Sequence, residues 1–145
     1  MSPVYLLDAN VLIALTNPDH LHHRRAHEWF AAVDAWATTP MTEAAFVRLM
    51  LNPQVAGRRL TAGEVLDVLR RLRALPGHRF VADDTSLAEP AIDLVALIGH
   101  RQVTDLHLVN LAARGGLVVA TFDAGLPATL TGRDGELVRL VQADR

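Results

Sequence analysis

Apolar residues fall into two kinds of run along this chain. Short unbroken runs stop at an acid: Val4-Tyr5-Leu6-Leu7 ends at Asp8, and residues 117–122 end at Asp123. Their length, β-branched content and polar stops predict buried strands. Other apolar residues recur every three or four positions, as one helix face does. Ala26, Trp29, Phe30, Val33 and Ala37 mark such a face over residues 22–37. Phe46, Leu49 and Met50 mark another over 42–51, which Asn52-Pro53 closes. Residues 61–75 form the best-bounded helix, with Thr61 as cap, Glu64 completing a capping box and Pro76-Gly77 as the stop. Helices are also expected over 11–15, 87–98 and 104–114, the last closed by Gly115-Gly116, and strands over 37–40, 79–82 and 137–141. This alternation predicts an α/β sandwich around a central, largely parallel sheet of about five strands flanked by helices.

At 145 residues the chain is expected to be one domain, residues 1–145. Half of it is apolar, enough for a core without a staple. There is no cysteine, which excludes disulfides, thiolate metal sites and a cysteine nucleophile. All 14 basic residues are arginine, so a Walker phosphate loop and a Schiff base are excluded as well. No apolar run suits a membrane span, and Met1-Ser2-Pro3 does not open a signal peptide, so a cytoplasmic location is expected. A net charge of −2 argues against a general nucleic-acid coat, so any polyanion must bind locally.

The acids carry the chemistry. Asp8 and Asp123 end predicted strands, and in a parallel sheet such ends line one crevice where ligands bind. Glu43 and Asp105 stand in the first turns of helices that follow strands, which point to the same edge. Two carboxylates about 5 Å apart at an effective dielectric near 20 repel by roughly 3 kcal/mol. A converging set must therefore hold protons or a cation, and hard oxygen donors without sulfur favour Mg²⁺, with Mn²⁺ as a substitute. A magnesium site without a phosphate loop suits phosphodiester hydrolysis by an activated water. Taken singly, each acid is equally at home as a helix cap or a complement to a helix dipole.

The stretch Leu6-Leu7-Asp8-Ala9-Asn10-Val11-Leu12-Ile13 resembles the opening signature of PIN-domain ribonucleases. Thr42-Glu43, Val103-Thr104-Asp105-Leu106-His107-Leu108 and Ala120-Thr121-Phe122-Asp123 follow in that family's order. With Gly99-His100-Arg101-Gln102 leading into Asp105, the chain is most similar to VapC-type toxins of bacterial toxin–antitoxin modules. The resemblance implies a PIN-like sandwich acting as a Mg²⁺-dependent endoribonuclease. Asp8, Glu43, Asp105 and Asp123 would be the catalytic, metal-holding acids, and Asn10, Thr104 and Thr121 their supports. It further implies a cognate antitoxin, an RNA substrate and a homodimer.

Other features have bland and sharp readings. Arg58-Arg59 and Arg70, Arg71 and Arg73 are either a solvated face or a phosphate grip that an acidic crevice needs beside it. His23 and His27 have the spacing of a zinc pair but no acidic base between them, so exposed histidines at a helix start are the plainer reading. Trp36 lies off the main inward face of its predicted helix and is expected to be an exposed antitoxin contact, in a groove between helices 21–37 and 42–51. A dehalogenase-type phosphatase and a receiver domain both fail for want of a lysine. A non-catalytic α/β binding module and a nuclease for single-stranded DNA are the remaining alternatives.

Overall fold

The computed structural model describes residues 2–142; the ends of the expected domain, residue 1 and residues 143–145, lie outside the described residues. In chain order the elements are β1 (Val4–Leu7), α1 (Ala9–Thr16), α2 (His23–Phe30), β2 (Ala35–Thr38), α3 (Pro40–Met50), α4 (Pro53–Ala56), α5 (Ala62–Arg73), β3 (His78–Phe80), α6 (Val103–Gly115), β4 (Val118–Thr121), α7 (Gly125–Ala128) and β5 (Val138–Leu140), with single 3₁₀ segments at His100–Gln102 and Gly132–Leu137. The five strands form one wholly parallel sheet in the order β3-β2-β1-β4-β5. The α/β sandwich expected from the sequence is the observed fold.

The two-residue period of a strand divides the core. Leu7, Trp36 and Ala120 face the layer built by α1, α2, α3 and α5. Leu6, Ala37 and Val119 face the opposite layer, built mainly on α6. The chain winds outward from β1 through β2 to β3, crosses back to β4 and continues to β5. The sheet therefore changes winding direction between β1 and β4. That gap at the carboxyl ends of the strands is where open α/β sheets place their ligands.

Three expectations need correction. Residues 87–98 are not a helix: they run as turns and irregular chain. Pro90 lacks an amide hydrogen and disfavours helical geometry in the residue before it. The segment is held instead by buried Asn110, which accepts from Ala91 N at 2.7 Å and donates to Ser86 O at 3.3 Å. The helix expected over 22–37 ends at Phe30, and Trp36 and Ala37 lie in β2. Trp36 is consequently not an exposed contact. It is 0% exposed on an interior strand of the sheet, and its indole N–H donates to Pro76 O at 3.1 Å.

The turn that receives this bond is tightly specified. Gly77 has φ +84°, and a Cβ there would lie 2.1 Å from Asp34 O. Gly77 O also accepts from Trp36 N at 3.0 Å, so the turn cannot swing away without opening β2. Gly77→Ala is expected to lower stability by more than about 1 kcal/mol, measured by urea denaturation, because the left-handed backbone and the clash add.

Candidate active site

Asp8 directly follows β1, and its extended backbone makes it the N-cap of α1. One carboxylate oxygen accepts from Ala9 N at 2.8 Å and the other from the Thr121 hydroxyl at 2.9 Å. Thr121 ends β4, the neighbouring strand, so the bond spans the change of winding. The Thr121 oxygen also accepts from Asn10 Nδ2 at 3.1 Å and from Asp123 N at 3.1 Å. A hydroxyl has one donor and two acceptor sites, and all three are used. Asn10 Oδ1 accepts from Phe122 N, and Asp123 accepts from Gly125 N at 2.8 Å. This network ties the start of α1 to the loop after β4.

Asp105 approaches from the first turn of α6. Burial, followed by repulsion from Asp8 and Asp123, raises its carboxyl to about 6. The Asp8 carboxyl is also raised: burial outweighs the bonds from Thr121 and Ala9, and Asp123 adds repulsion. These three acids are thus electrostatically coupled, although they come from three different elements.

Glu43 sits in different company. It is buried near the start of α3, where one oxygen accepts from the Thr38 hydroxyl at 2.6 Å and the other from Arg73 at 3.3 Å. Thr38 Oγ1 lies 2.7 Å from His78 Nε2. Since the hydroxyl hydrogen goes to Glu43, that imidazole nitrogen must be the donor, which assigns the tautomer. Burial and then Arg73 lower the His78 pKa, opposed by Glu43. Nothing in the sequence announced this Thr38–Glu43–Arg73–His78 group, because its members meet only when β2, α3, α5 and β3 pack.

The remaining candidates divide in the same way. Thr104 is exposed, and its hydroxyl makes no hydrogen bond among the described residues. Arg73 is engaged by Glu43 and lies 4.7 Å over the Phe80 ring, and Arg70 pairs with Asp67 at 2.9 Å. Arg71 makes no ion pair among the described residues. His23 and His27 each place a ring nitrogen on α1, against Ala14 O at 2.7 Å and Leu15 O at 2.8 Å. They fasten α2 to the C-terminal end of α1. His107 bonds the carboxylate of Asp83 at 2.8 Å.

Among the described residues, no three acidic or imidazole side chains are gathered closely enough to form a complete protein cage for a metal. Mg²⁺ does not require one. It keeps several waters and is usually held by one or two carboxylates together with substrate phosphates. Asp8, Asp105 and Asp123 offer only hard oxygen donors, and their mutual repulsion is what a cation would relieve. The donor set fits that ion.

An α/β fold with coupled carboxylates where the sheet changes direction defines a class of acidic-crevice proteins. Comparison narrows it. A family model described as PIN domain matches residues 5–129. Ribonuclease VapC38 of Mycobacterium tuberculosis is 49% identical over 123 residues, covering 83% of this chain and 86% of that protein. Ribonuclease VapC39 of the same species is 46% identical over 124 residues, covering 83% and 89%. Among solved structures, Mycobacterium tuberculosis VapC20, titled a sarcin-ricin loop cleaving toxin, superimposes with a TM-score of 0.61 at 15% identity, covering 86% of this chain and 93% of that one. PAE2754 from Pyrobaculum aerophilum gives 0.58 at 19% identity, covering 90% and 81%. The chain belongs to the PIN domain family and, within it, to the VapC ribonuclease toxins.

Proposed function

We propose that this protein is a Mg²⁺-dependent endoribonuclease toxin, with Mn²⁺ able to substitute, and that a single domain carries the whole activity. The observation that supports this most directly is the placing of Asp8, Asp105 and Asp123 at the change of winding, where burial, and then repulsion from the other two acids, raises Asp105 to about 6. Asp8, Asp105 and Asp123 would hold the metal, with Glu43 completing the acidic set. When bound, the metal lowers the pKa of an attacking water and offsets charge developing on the phosphate. The chain supplies the positioning. Asn10 and Thr121 fix the Asp8 carboxylate, the Gly125 amide fixes Asp123, and Thr38 with Arg73 orients Glu43. Thr104 stands beside Asp105 at the solvent side.

RNA is preferred over single-stranded DNA because the relatives are named ribonucleases. The deciding experiment incubates purified protein with total RNA, and separately with single-stranded DNA, in Mg²⁺, Mn²⁺ or chelator, and maps the cut ends. Cleavage of RNA that stops with chelator supports the reading. DNA cleavage alone, or none with either, defeats it.

Of Arg70, Arg71 and Arg73, Arg71 is the one with no acidic partner among the described residues, since Arg70 pairs with Asp67 and Arg73 with Glu43. Arg71→Gln is expected to flatten the salt dependence of RNA binding by about 0.7 in log–log slope, the value of one single-strand phosphate contact. Arg70→Gln should leave that slope nearly unchanged. Filter binding from low to moderate salt distinguishes the two.

The toxin acts in the cytoplasm as a homodimer held in check by a cognate antitoxin. Among the described residues no helix is long and apolar enough to cross a membrane. A guanidinium fork matches carboxylates in bidentate fashion, so an antitoxin arginine in the acidic crevice would exclude the cation and the phosphate together. Calorimetry with and without Mg²⁺ tests this, because antitoxin binding should weaken as Mg²⁺ rises.

A further inference from the structure

Beside the acids lies a cavity of about 200 Å³, most of whose lining has no part in the cleavage chemistry. Asp105 and Asp123 form one wall. Leu106 and Leu126, nearly fully buried, give it an apolar lining, and Arg101, Gln102 and Thr129 supply the polar groups. The cavity is smaller than the ~300–1,000 Å³ of clefts for drug-sized ligands, so it suits a single flat ring system.

The polar groups have fixed hydrogen-bond roles. Gln102 Oε1 accepts from Ile98 N at 3.0 Å and from Gly99 N at 3.2 Å. Those two bonds settle which end of the amide is oxygen and leave its NH₂ as a donor without a partner among the described residues. Thr129 gives its hydroxyl hydrogen to Leu126 O at 2.7 Å, so toward the cavity its oxygen only accepts. Arg101 is exposed, makes no ion pair among the described residues, and is the one positive charge on the lining. An apolar lining with one fixed donor and one fixed acceptor matches the face and edge of a nucleobase, while the guanidinium suits the adjoining phosphate.

We propose that this cavity is a nucleobase subsite that takes one base flanking the scissile phosphate and so sets a sequence preference at the cut. The proposal rests on the nuclease reading above. A base can enter only if it is not stacked within a paired stem, so the substrate class is RNA with an unpaired nucleotide beside the cut.

The test sequences the ends produced from a randomised, unstructured RNA pool in Mg²⁺ and counts bases among cut products, which makes the readout independent of rate. Wild type is expected to show about a fivefold preference at one flanking position, the value of one net hydrogen bond. Thr129→Val, which keeps shape and loses the acceptor, should bring that preference below about twofold. Gln102→Glu keeps an oxygen for the Ile98 and Gly99 amides and replaces the donor with an acceptor, so it should change which base is preferred. In a parallel NMR titration, ribonucleoside monophosphates should shift the Gln102 side-chain amide and inorganic phosphate should not. Identical base counts in wild type and both variants, or equal shifts with phosphate alone, overturn the subsite. Absence of any metal-dependent RNA cleavage by wild type instead overturns the nuclease reading beneath it.

Discussion

Asp8→Asn and Asp105→Asn are each expected to lower Mg²⁺-dependent RNA cleavage by at least about a hundredfold, beyond the 10–100-fold typical of losing an outer-shell partner. Neither should unfold the protein. Without a cation, the Asp105 carboxyl carries burial and two like charges, which raise it from 3.8 to about 6. A raised carboxyl means that the folded state binds the proton more tightly than the unfolded chain. Ionisation of Asp105 therefore begins to cost stability as pH rises above about 4, and the full cost is present above about 6. The unscreened value of such a shift is ~3 kcal/mol; partial solvent access leaves on the order of 1 kcal/mol. Metal-free Asp105→Asn should accordingly melt at a higher temperature than wild type at pH 7 and at nearly the same temperature at pH 4. Added Mg²⁺ should raise the wild-type melting temperature and have far less effect on the variant. Thermal scans at the two pH values, run beside the cleavage assay, check both halves. Full activity in both variants removes the metal site, and a pH-independent stability gap removes its electrostatic explanation.

Trp36→Ala is expected to cost about 3–5 kcal/mol, a large share of the stability of a domain this size. The side chain is fully buried. It packs edge-on against Phe30 with ring centres 5.3 Å apart, lies 4.7 Å from the His78 ring, and bonds the turn at Pro76. Its removal opens a cavity and takes away the donor to Pro76 O. Trp36→Phe keeps most of the volume and should cost about 1–2 kcal/mol, chiefly from that lost bond. Urea denaturation separates the two. Any loss of antitoxin binding in Trp36→Ala follows from loss of fold, and a variant as stable as wild type contradicts the buried placement.

Trp36 also shows where sequence reading fails. Val33 and Ala37 continue the helical spacing of Trp29 and Phe30, but the chain turns after Phe30, and Trp36 and Ala37 then follow strand geometry in β2. Four residues are too few for either period to win, and pairing with β1 and β3 decides. Residues 87–98 carry apolar spacing without a packed helix face; their order comes from Asn110, far along the chain. The strands ending at Asp8 and Asp123 were legible because a continuous apolar run closed by an acid has few other readings. The coupling of Asp105 with those two acids follows from topology. The partners of Glu43 do not, since Arg73 is 30 residues away and reaches it only through packing of helix against helix.

The bond from Thr121 to Asp8 joins residues 113 positions apart, and the one from Phe122 N to Asn10 Oδ1 joins residues 112 apart. A ribosome that has made only the first hundred residues has made β1 and Asp8 but not the strand that steadies them. Neither Asp105 nor Asp123 yet exists in that nascent chain. Ordering of the site coincides with docking of β4 against β1, a late, non-local event. Translation products that stop before β4 lack both Asp123 and the Thr121 hydroxyl that bonds Asp8, and are expected to carry no ordered acidic site.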